Sequence, residues 1–320
     1  MKITVISLDN WGYNQYIVDE LNSYENIEAN HINFDGLRFK YPSVFHKIFN
    51  FFSKTFFNYN LKRNHLNKVI LNHVKELGHQ DKILIIKSDF LSVKTIKKIK
   101  EHTSELIAFY NDNIKRCPRI KVVYPYFDIN YSFEKDDAKN FGFKFITNYI
   151  YHGHLLNKPI PNTKTSFEVF NISSLSKRNN TIENIAIALD KINILYKIIL
   201  VGKKNYKPKG NIAYQKNKID IKDVNSYISK SRTLLDVHRK GQSGLTFRVM
   251  DSLAYNKKLI TTNQDIINYD FYNSNNILII NPENVEIPNI FFDKEYEAIP
   301  ENIYKKYTIN NWVKTVFELD

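Results

Sequence analysis

The stretch from Leu234 to Asn263, LLDVHRKGQSGLTFRVMDSLAYNKKLITTN, constrains this chain more than any other. Leu234, Leu235 and Val237 have the continuous apolar character of a strand buried in a parallel sheet. His238 to Ser243 are polar or basic with Gly241 among them, and the loop ends at Gly244. Beyond it Leu245, Val249, Leu253 and Ala254 recur at helical spacing, which puts the first unbonded backbone N–H groups near Gly244, Leu245 and Thr246. A helix start carries about half an elementary positive charge, and glycine lets a phosphate come close to the backbone. Arg248, one turn in, supplies a fork of donors, and His238 can reach the same phosphate. Asp251, at i+3 from Arg248 and i+7 from Gly244, lies near the same face and can accept hydrogen bonds from a ribose. Phosphate followed by sugar hydroxyl predicts nucleotide recognition.

The run Gly241 to Arg248, then Asp251, then Lys257 to Asn263, resembles the donor-binding segment of GT-B glycosyltransferases, in particular bacterial enzymes of lipopolysaccharide and capsule assembly. The resemblance implies an α/β fold of two Rossmann-like domains facing each other across a cleft, with a C-terminal helix crossing back to the first. It also implies a donor diphosphate on Gly244, Leu245 and Thr246, and a nucleotide ribose on Asp251. Ser243 and Asp251 stand where many retaining members carry Glu-x7-Glu, so the stereochemical outcome stays open. A second stretch of the same enzymes is matched by Asp112, Phe127-Asp128, Ser132-Phe133 and Asp137. Tyr307 to Trp312 resembles the start of the closing helix, with Thr308 or Asn310 as its cap.

Strand and helix signals alternate through the first half: Ile3 to Leu8, Tyr16 to Leu21, Ile83 to Ile86, Val93 to Ile99, Leu106 to Tyr110. Such alternation argues a parallel sheet wrapped by helices. Asp9 and Asp112 then fall at carboxyl ends of strands, where open α/β sheets place ligands. They are the candidate catalytic bases, and His152 and His154 are weaker ones. Pro159, Pro161, Asn162 and Thr163 interrupt regular structure and mark a hinge between a first domain, 1–160, and a second, 161–300. A closing segment, 301–320, follows. The second half restarts with Phe167 to Ile172, Thr181 to Asn193 and Lys197 to Val201. Lys177, Arg178 and Gly202 follow strands there and join the expected donor site.

With 320 residues and 43% hydrophobic content, the chain can build two domains with separate cores. Its single cysteine, Cys117, rules out an internal disulfide framework and fits a reducing, cytoplasmic setting. MKITVISLDN reads as a strand and not as a signal peptide, and no apolar run approaches the roughly 20 residues that span a bilayer. The formal charge of +13 favours anionic partners. No nucleic-acid-binding signature accompanies it, so nucleic acid is not an expected partner.

The charge has one local excess. Between Asp35 and Glu76 there is no acidic residue, while Arg38, Lys40, Lys47, Lys54, Lys62, Arg63, Lys68 and Lys75 punctuate an aromatic run. Tyr41, Val44, Phe45, Ile48, Phe49 and Phe52 share one helical face, with Lys47, Asn50 and Lys54 off it. Such a helix either packs its apolar face on its own domain or lays it on an anionic membrane. In the second case Lys47, Phe49, Phe52 and Lys54 meet the membrane or a lipid-linked acceptor.

G-x-G-x-x-G, Walker and His-Glu-x-x-His motifs are absent, as is Asp-x-Asp. No metal site and no cofactor are expected, so protein cations neutralise the donor. The expected function is transfer of a sugar from a nucleotide sugar, UDP favoured, to a glycan or lipid-linked acceptor in bacterial surface polysaccharide assembly. The competing readings are a nucleotide-sugar epimerase and a non-catalytic nucleotide-sugar or polyanion binder of the same fold.

Overall fold

The computed structural model describes residues 1–37, 39–57, 59–151 and 165–320. They form two compact units, Met1–Ile146 with Val313–Asp320, and Thr147–Trp312. Arg38, His152, His154 and the hinge residues 157–164 lie outside the described residues. The units divide at Ile146/Thr147, ahead of the expected position near residue 160. The expected closing segment is likewise shared, with Glu301 to Trp312 in the second unit and Val313 to Asp320 in the first.

The first unit runs β1 (Lys2–Ser7), α1 (Gln15–Leu21), β2 (Glu28–Asn33), α2 (Val44–Phe57), α3 (Leu61–Leu77), β3 (Gln80–Ile86), α4 (Val93–Lys100), β4 (Thr103–Tyr110), α5 (Ile120–Val123), β5 (Ile129–Ser132), α6 (Lys135–Phe141) and β6 (Lys144–Phe145). Its sheet has the order β2-β1-β3-β4-β5-β6, parallel throughout. The apolar runs of β1, β3 and β4 are buried on both faces, as central parallel strands must be. The Asp128–Asp137 stretch staples the far side of this sheet. Asp128 accepts from Leu106 N (2.9 Å), Ser132 Oγ from Glu134 N (3.1 Å) and Asp137 from Ile114 N (2.8 Å).

The second unit runs β7 (Phe167–Ser174), α7 (Asn179–Lys191), β8 (Tyr196–Val201), β9 (Ile212–Gln215), α8 (Ile221–Ser229), β10 (Ser231–Asp236), α9 (Phe247–Ala254), β11 (Lys258–Thr261), β12 (Ile277–Ile279), α10 (Ile290–Asp293), α11 (Glu301–Lys306) and α12 (Ile309–Phe317), whose last residues count with the first unit. The parallel order β12-β11-β10-β7-β8-β9 is that of a doubly wound nucleotide-binding sheet. Alternate strand residues feed two cores. Phe170, Ile199, Leu234 and Leu259 point to one, and Val169, Ile198, Leu235 and Ile260 to the other. Thr308 caps α12, its hydroxyl accepting from Asn311 N at 3.3 Å. In the first unit the end of α12 is held by Lys82, whose Nζ donates to Phe317 O (2.8 Å), and by the Tyr131 hydroxyl on Thr315 O (3.1 Å).

Candidate functional site

The order of the second sheet reverses between β7 and β10, and at such a switch point the two outgoing loops diverge to leave a crevice. Arg178, entering α7, fills part of the seam. Its Nη1 donates to Val237 O (2.6 Å) and its Nε to Ser176 Oγ (3.1 Å). Arg178 is thereby brought beside the 238–246 loop, with Lys177 exposed next to it. The loop is braced from below. His238 N donates to Thr262 Oγ1 (2.8 Å), His238 Nε2 lies 3.4 Å from Gly244 O, and Asn263 Nδ2 donates to Ser243 O (3.3 Å).

The loops leaving β7, β8 and β10, three adjacent strands, carry Lys177, Arg178, Lys203, Lys204, Arg239 and Lys240. No Asp or Glu occurs in 174–178, 202–206 or 237–247. Six cations in loops that carry no Asp or Glu favour anions at this end of the sheet. Among the described residues no group of three or more His, Cys, Asp or Glu side chains is placed to hold a metal ion.

Four expected details differ. The helix begins at Phe247, not at Gly244 to Thr246, because Thr246 acts as its N-cap: its Oγ1 accepts from Arg248 N (3.2 Å) and donates to Asp236 Oδ1 (3.0 Å). Gly244 and Leu245 are buried in the approach to that cap. Arg248 does not present its fork to the crevice. Its Nη1 donates to Asp251 Oδ2 (2.9 Å), and the guanidinium lies over the Phe170 ring, 5.5 Å from the centroid. Asp251 is fully buried and its other oxygen accepts from the Tyr151 hydroxyl (2.8 Å), so the carboxylate is not accessible to a ribose. Burial pushes the Asp251 carboxyl up, and Arg248 and Tyr151 pull against it. Gly202 is explained by packing, since a Cβ there would lie 2.4 Å from Leu175 Cδ1.

Three residues that sequence reasoning missed hold this edge together. Asp236, last in β10 and 4% exposed, gathers Thr246 and Thr261 through its two oxygens, each at 3.0 Å. Asn148 donates to Leu245 O (2.8 Å), and Tyr151 closes the Arg248–Asp251 pair. The signal for Asp236 was present, a carboxylate ending an apolar strand; Asn148 and Tyr151 act across about a hundred residues and left none.

In the first unit both candidate bases are engaged. Asp9 accepts from the backbone N–H groups of Gly12 (2.9 Å), Asn14 and Gln15 (3.0 Å each), which closes the loop ahead of α1. Asp112, just past β4, is ion-paired with Lys87 (3.3 Å) and Arg116.

Helix α2 is turned the opposite way from an ordinary surface helix. Among its described side chains, Asn50 and Ser53 are the buried ones. Asn50 donates to the Tyr41 hydroxyl (2.8 Å) and accepts from Leu61 N (2.7 Å). Val44, Phe45, Ile48, Phe49, Phe51, Phe52 and Phe56 are 49–81% exposed. At 100° per residue they span an arc of about 160°, interrupted by Thr55, with Lys47 and Lys54 along one border. In the structure these described side chains do not pack on their own domain. Among the described residues no helix is long and apolar enough to cross a membrane.

No known family profile matches the sequence, and no curated protein does. Solved structures do resemble the fold. A UDP-GlcNAc 2-epimerase from Methanocaldococcus jannaschii, in complex with UDP-GlcNAc and UDP, superposes with a TM-score of 0.54 at 10% identity over 100% of both chains. A UDP-GlcNAc 2-epimerase from Neisseria meningitidis bound to UDP-GlcNAc gives 0.51 at 11% identity over 99% of both. An alpha-glucosyltransferase in complex with UDP and a 13-mer DNA gives 0.53 at 10% identity over 87% of this chain and 81% of its own. At such identities the likeness concerns the fold alone, and that fold is the GT-B architecture of two parallel α/β sheets.

Proposed function

We propose that the protein is a nucleotide-sugar-dependent glycosyltransferase that holds its donor diphosphate at the β7–β10 switch point. The six cations in the loops of that edge, loops that contain no Asp or Glu, carry the reading. A hydrogen bond to a charged group contributes about 1.5–3 kcal/mol net, so two or three of them hold a diphosphate without a divalent metal. UDP is the favoured nucleotide, because the structures of like fold bind UDP or UDP-GlcNAc. With Arg248 and Asp251 committed to each other, recognition falls to Lys177, Arg178, His238 and the basic loop, and the 248–251 pair holds α9 beneath them. For the base, Asp112 stands ahead of Asp9, whose carboxylate closes a loop through three N–H groups.

The acceptor side is the first unit, and α2 brings it to a membrane. A helix of 14 residues with its aromatic arc outward and lysines along the border suits the surface of an anionic leaflet. That favours a lipid-linked glycan acceptor on the cytoplasmic face and a role in surface polysaccharide or lipopolysaccharide assembly. It is also what favours transfer over epimerisation, since a soluble nucleotide sugar needs no membrane.

Incubation with a panel of UDP-hexoses, followed by phosphorus NMR, tests the reading. Release of UDP by transfer or slow hydrolysis supports a transferase. A new UDP-sugar without free UDP identifies an epimerase, and an unchanged donor at stoichiometric enzyme leaves a binding protein. EDTA is expected to leave UDP release unchanged.

A further inference from the structure

In the first unit a cavity of about 550 Å³ opens among Phe39, Asn60, Arg63, Asp89, Phe90 and Arg119. Phe39 follows β2, Asp89 and Phe90 follow β3, Arg119 follows β4, and Asn60 and Arg63 open α3. The cavity thus lies on the carboxyl side of the first sheet, the side on which open α/β sheets bind ligands, and its size is that of a small-molecule site. No role described above uses it.

Its chemistry is specific. Arg119 is fixed by two neutral acceptors, Nε donating to Asp89 O (2.7 Å) and Nη2 to Leu91 O (2.9 Å), which set the guanidinium in place without cancelling its charge. Arg63 lies close enough to oppose it: burial first, and Arg119 second, push the Arg63 guanidinium down. Two neighbouring arginines in a cavity favour an oxyanion, which the remaining guanidinium N–H groups can hold. Lys62, also lining it, adds a third cation. The one carboxyl there, Asp89, has an oxygen, Oδ1, that is buried with no hydrogen-bond partner among the described residues, and burial pushes this carboxyl up. Oδ1 itself is closed off, but the residue is only partly buried, and the accessible side of the carboxyl can accept from a hydroxyl. The Phe39 and Phe90 rings supply an apolar wall suited to the C–H face of a pyranose.

An oxyanion, hydroxyl donors and an apolar ring face occur together in an anionic sugar. We propose that this cavity binds an anionic saccharide, with its carboxylate or phosphate between Arg63 and Arg119 and its ring against Phe39 and Phe90. As the seat of the acceptor's charged sugar the cavity rests on the transferase reading; as a binding site it does not.

Calorimetric titration of the full chain with glucuronate, glucose 6-phosphate, glucose and inorganic phosphate tests this. At least one of the two anionic sugars is expected to bind, and which one names the oxyanion, whereas glucose does not. Arg63→Gln is expected to weaken binding at least tenfold and Arg63→Lys less, and Phe39→Ala, which keeps every charge, to weaken it severalfold. Near-UV circular dichroism confirms that each variant is folded. Failure of both anionic sugars, inorganic phosphate binding as tightly as either, or unchanged binding in Arg63→Gln would each overturn the proposal. UDP titrated separately keeps the two readings apart, because loss of UDP binding with anionic-sugar binding intact fails the donor site alone.

Discussion

Helices α2 and α9 are both amphipathic, and they dispose of their faces in opposite ways. In α9 every residue from Arg248 to Ala254 is buried, including an ion pair that elsewhere would face solvent. In α2 a pair of polar residues, Asn50 and Ser53, points inward and seven apolar side chains point out. Burying an apolar side chain contributes roughly 1.5–3 kcal/mol, so α9 takes its stability from the fold whereas α2 leaves its apolar arc uncovered. Amphipathic periodicity states that a helix has two faces, and only the surrounding packing states which one the protein covers.

The contrast can be broken most forcefully at α9. Asp251→Asn leaves Arg248 buried and unpaired, and denaturant unfolding should show a loss of about 3–5 kcal/mol. Adding Arg248→Met should restore much of it, whereas an equal loss in the double variant would mean that the pair is not the source. At α2 the expectation is reversed. Phe45→Ser, Phe49→Ser and Phe52→Ser together should leave folding stability within about 1 kcal/mol. They should nevertheless lower partition onto phosphatidylglycerol vesicles about a hundredfold, from roughly 3 kcal/mol of lost apolar burial. A large drop in stability instead would show that the aromatic arc is packed.

Smaller effects sharpen the same comparison. Thr246→Val removes the α9 cap and one donor to Asp236, and about 1 kcal/mol should be lost in a chemical melt. Asp270, between β11 and β12, is the weakest case. Burial pushes its carboxyl up, but hydrogen bonds from Lys306 and Tyr307, each 2.6 Å, outweigh it and hold the carboxyl below its ordinary value of 3.8. A carboxylate lowered in the folded state stabilises above the unfolded value and ceases to do so as pH falls through the folded one. Asp270→Asn should therefore cost less than about 1 kcal/mol at neutral pH, and the difference from wild type should close as the pH drops below 3.8.

Much of the fold was legible because central parallel strands carry apolar runs: β1, β3, β4 and β8 announce themselves so, and β7 and β10 by shorter apolar stretches. Edge strands do not. Glu28 to Asn33 reads as polar because β2 is covered on one side only, and β6 is two residues long. At the candidate site the sequence located the basic loop, and the structure adds that Arg178 stands beside it across the β7–β10 seam. The sequence misjudged Arg248 and Asp251 because i+3 spacing favours their pairing as much as a shared ligand. What decided between these was Phe170 and Tyr151, distant in sequence and invisible to any local pattern. The helix start was placed too early because glycine drew attention from Thr246, the better cap. The outward turn of α2 could not be read at all, since a period carries no direction.

The central claim is that the basic carboxyl edge of the second sheet holds a nucleoside diphosphate, and its most direct test is calorimetric titration of UDP into the wild type and into Lys177→Glu/Lys240→Glu. Both lysines are exposed, so their reversal should spare the fold. The account predicts saturable binding by the wild type and at least tenfold weaker binding by the variant, with the wild-type affinity falling as salt rises. Equal affinity in the two proteins, or no heat of binding at millimolar UDP, would contradict it.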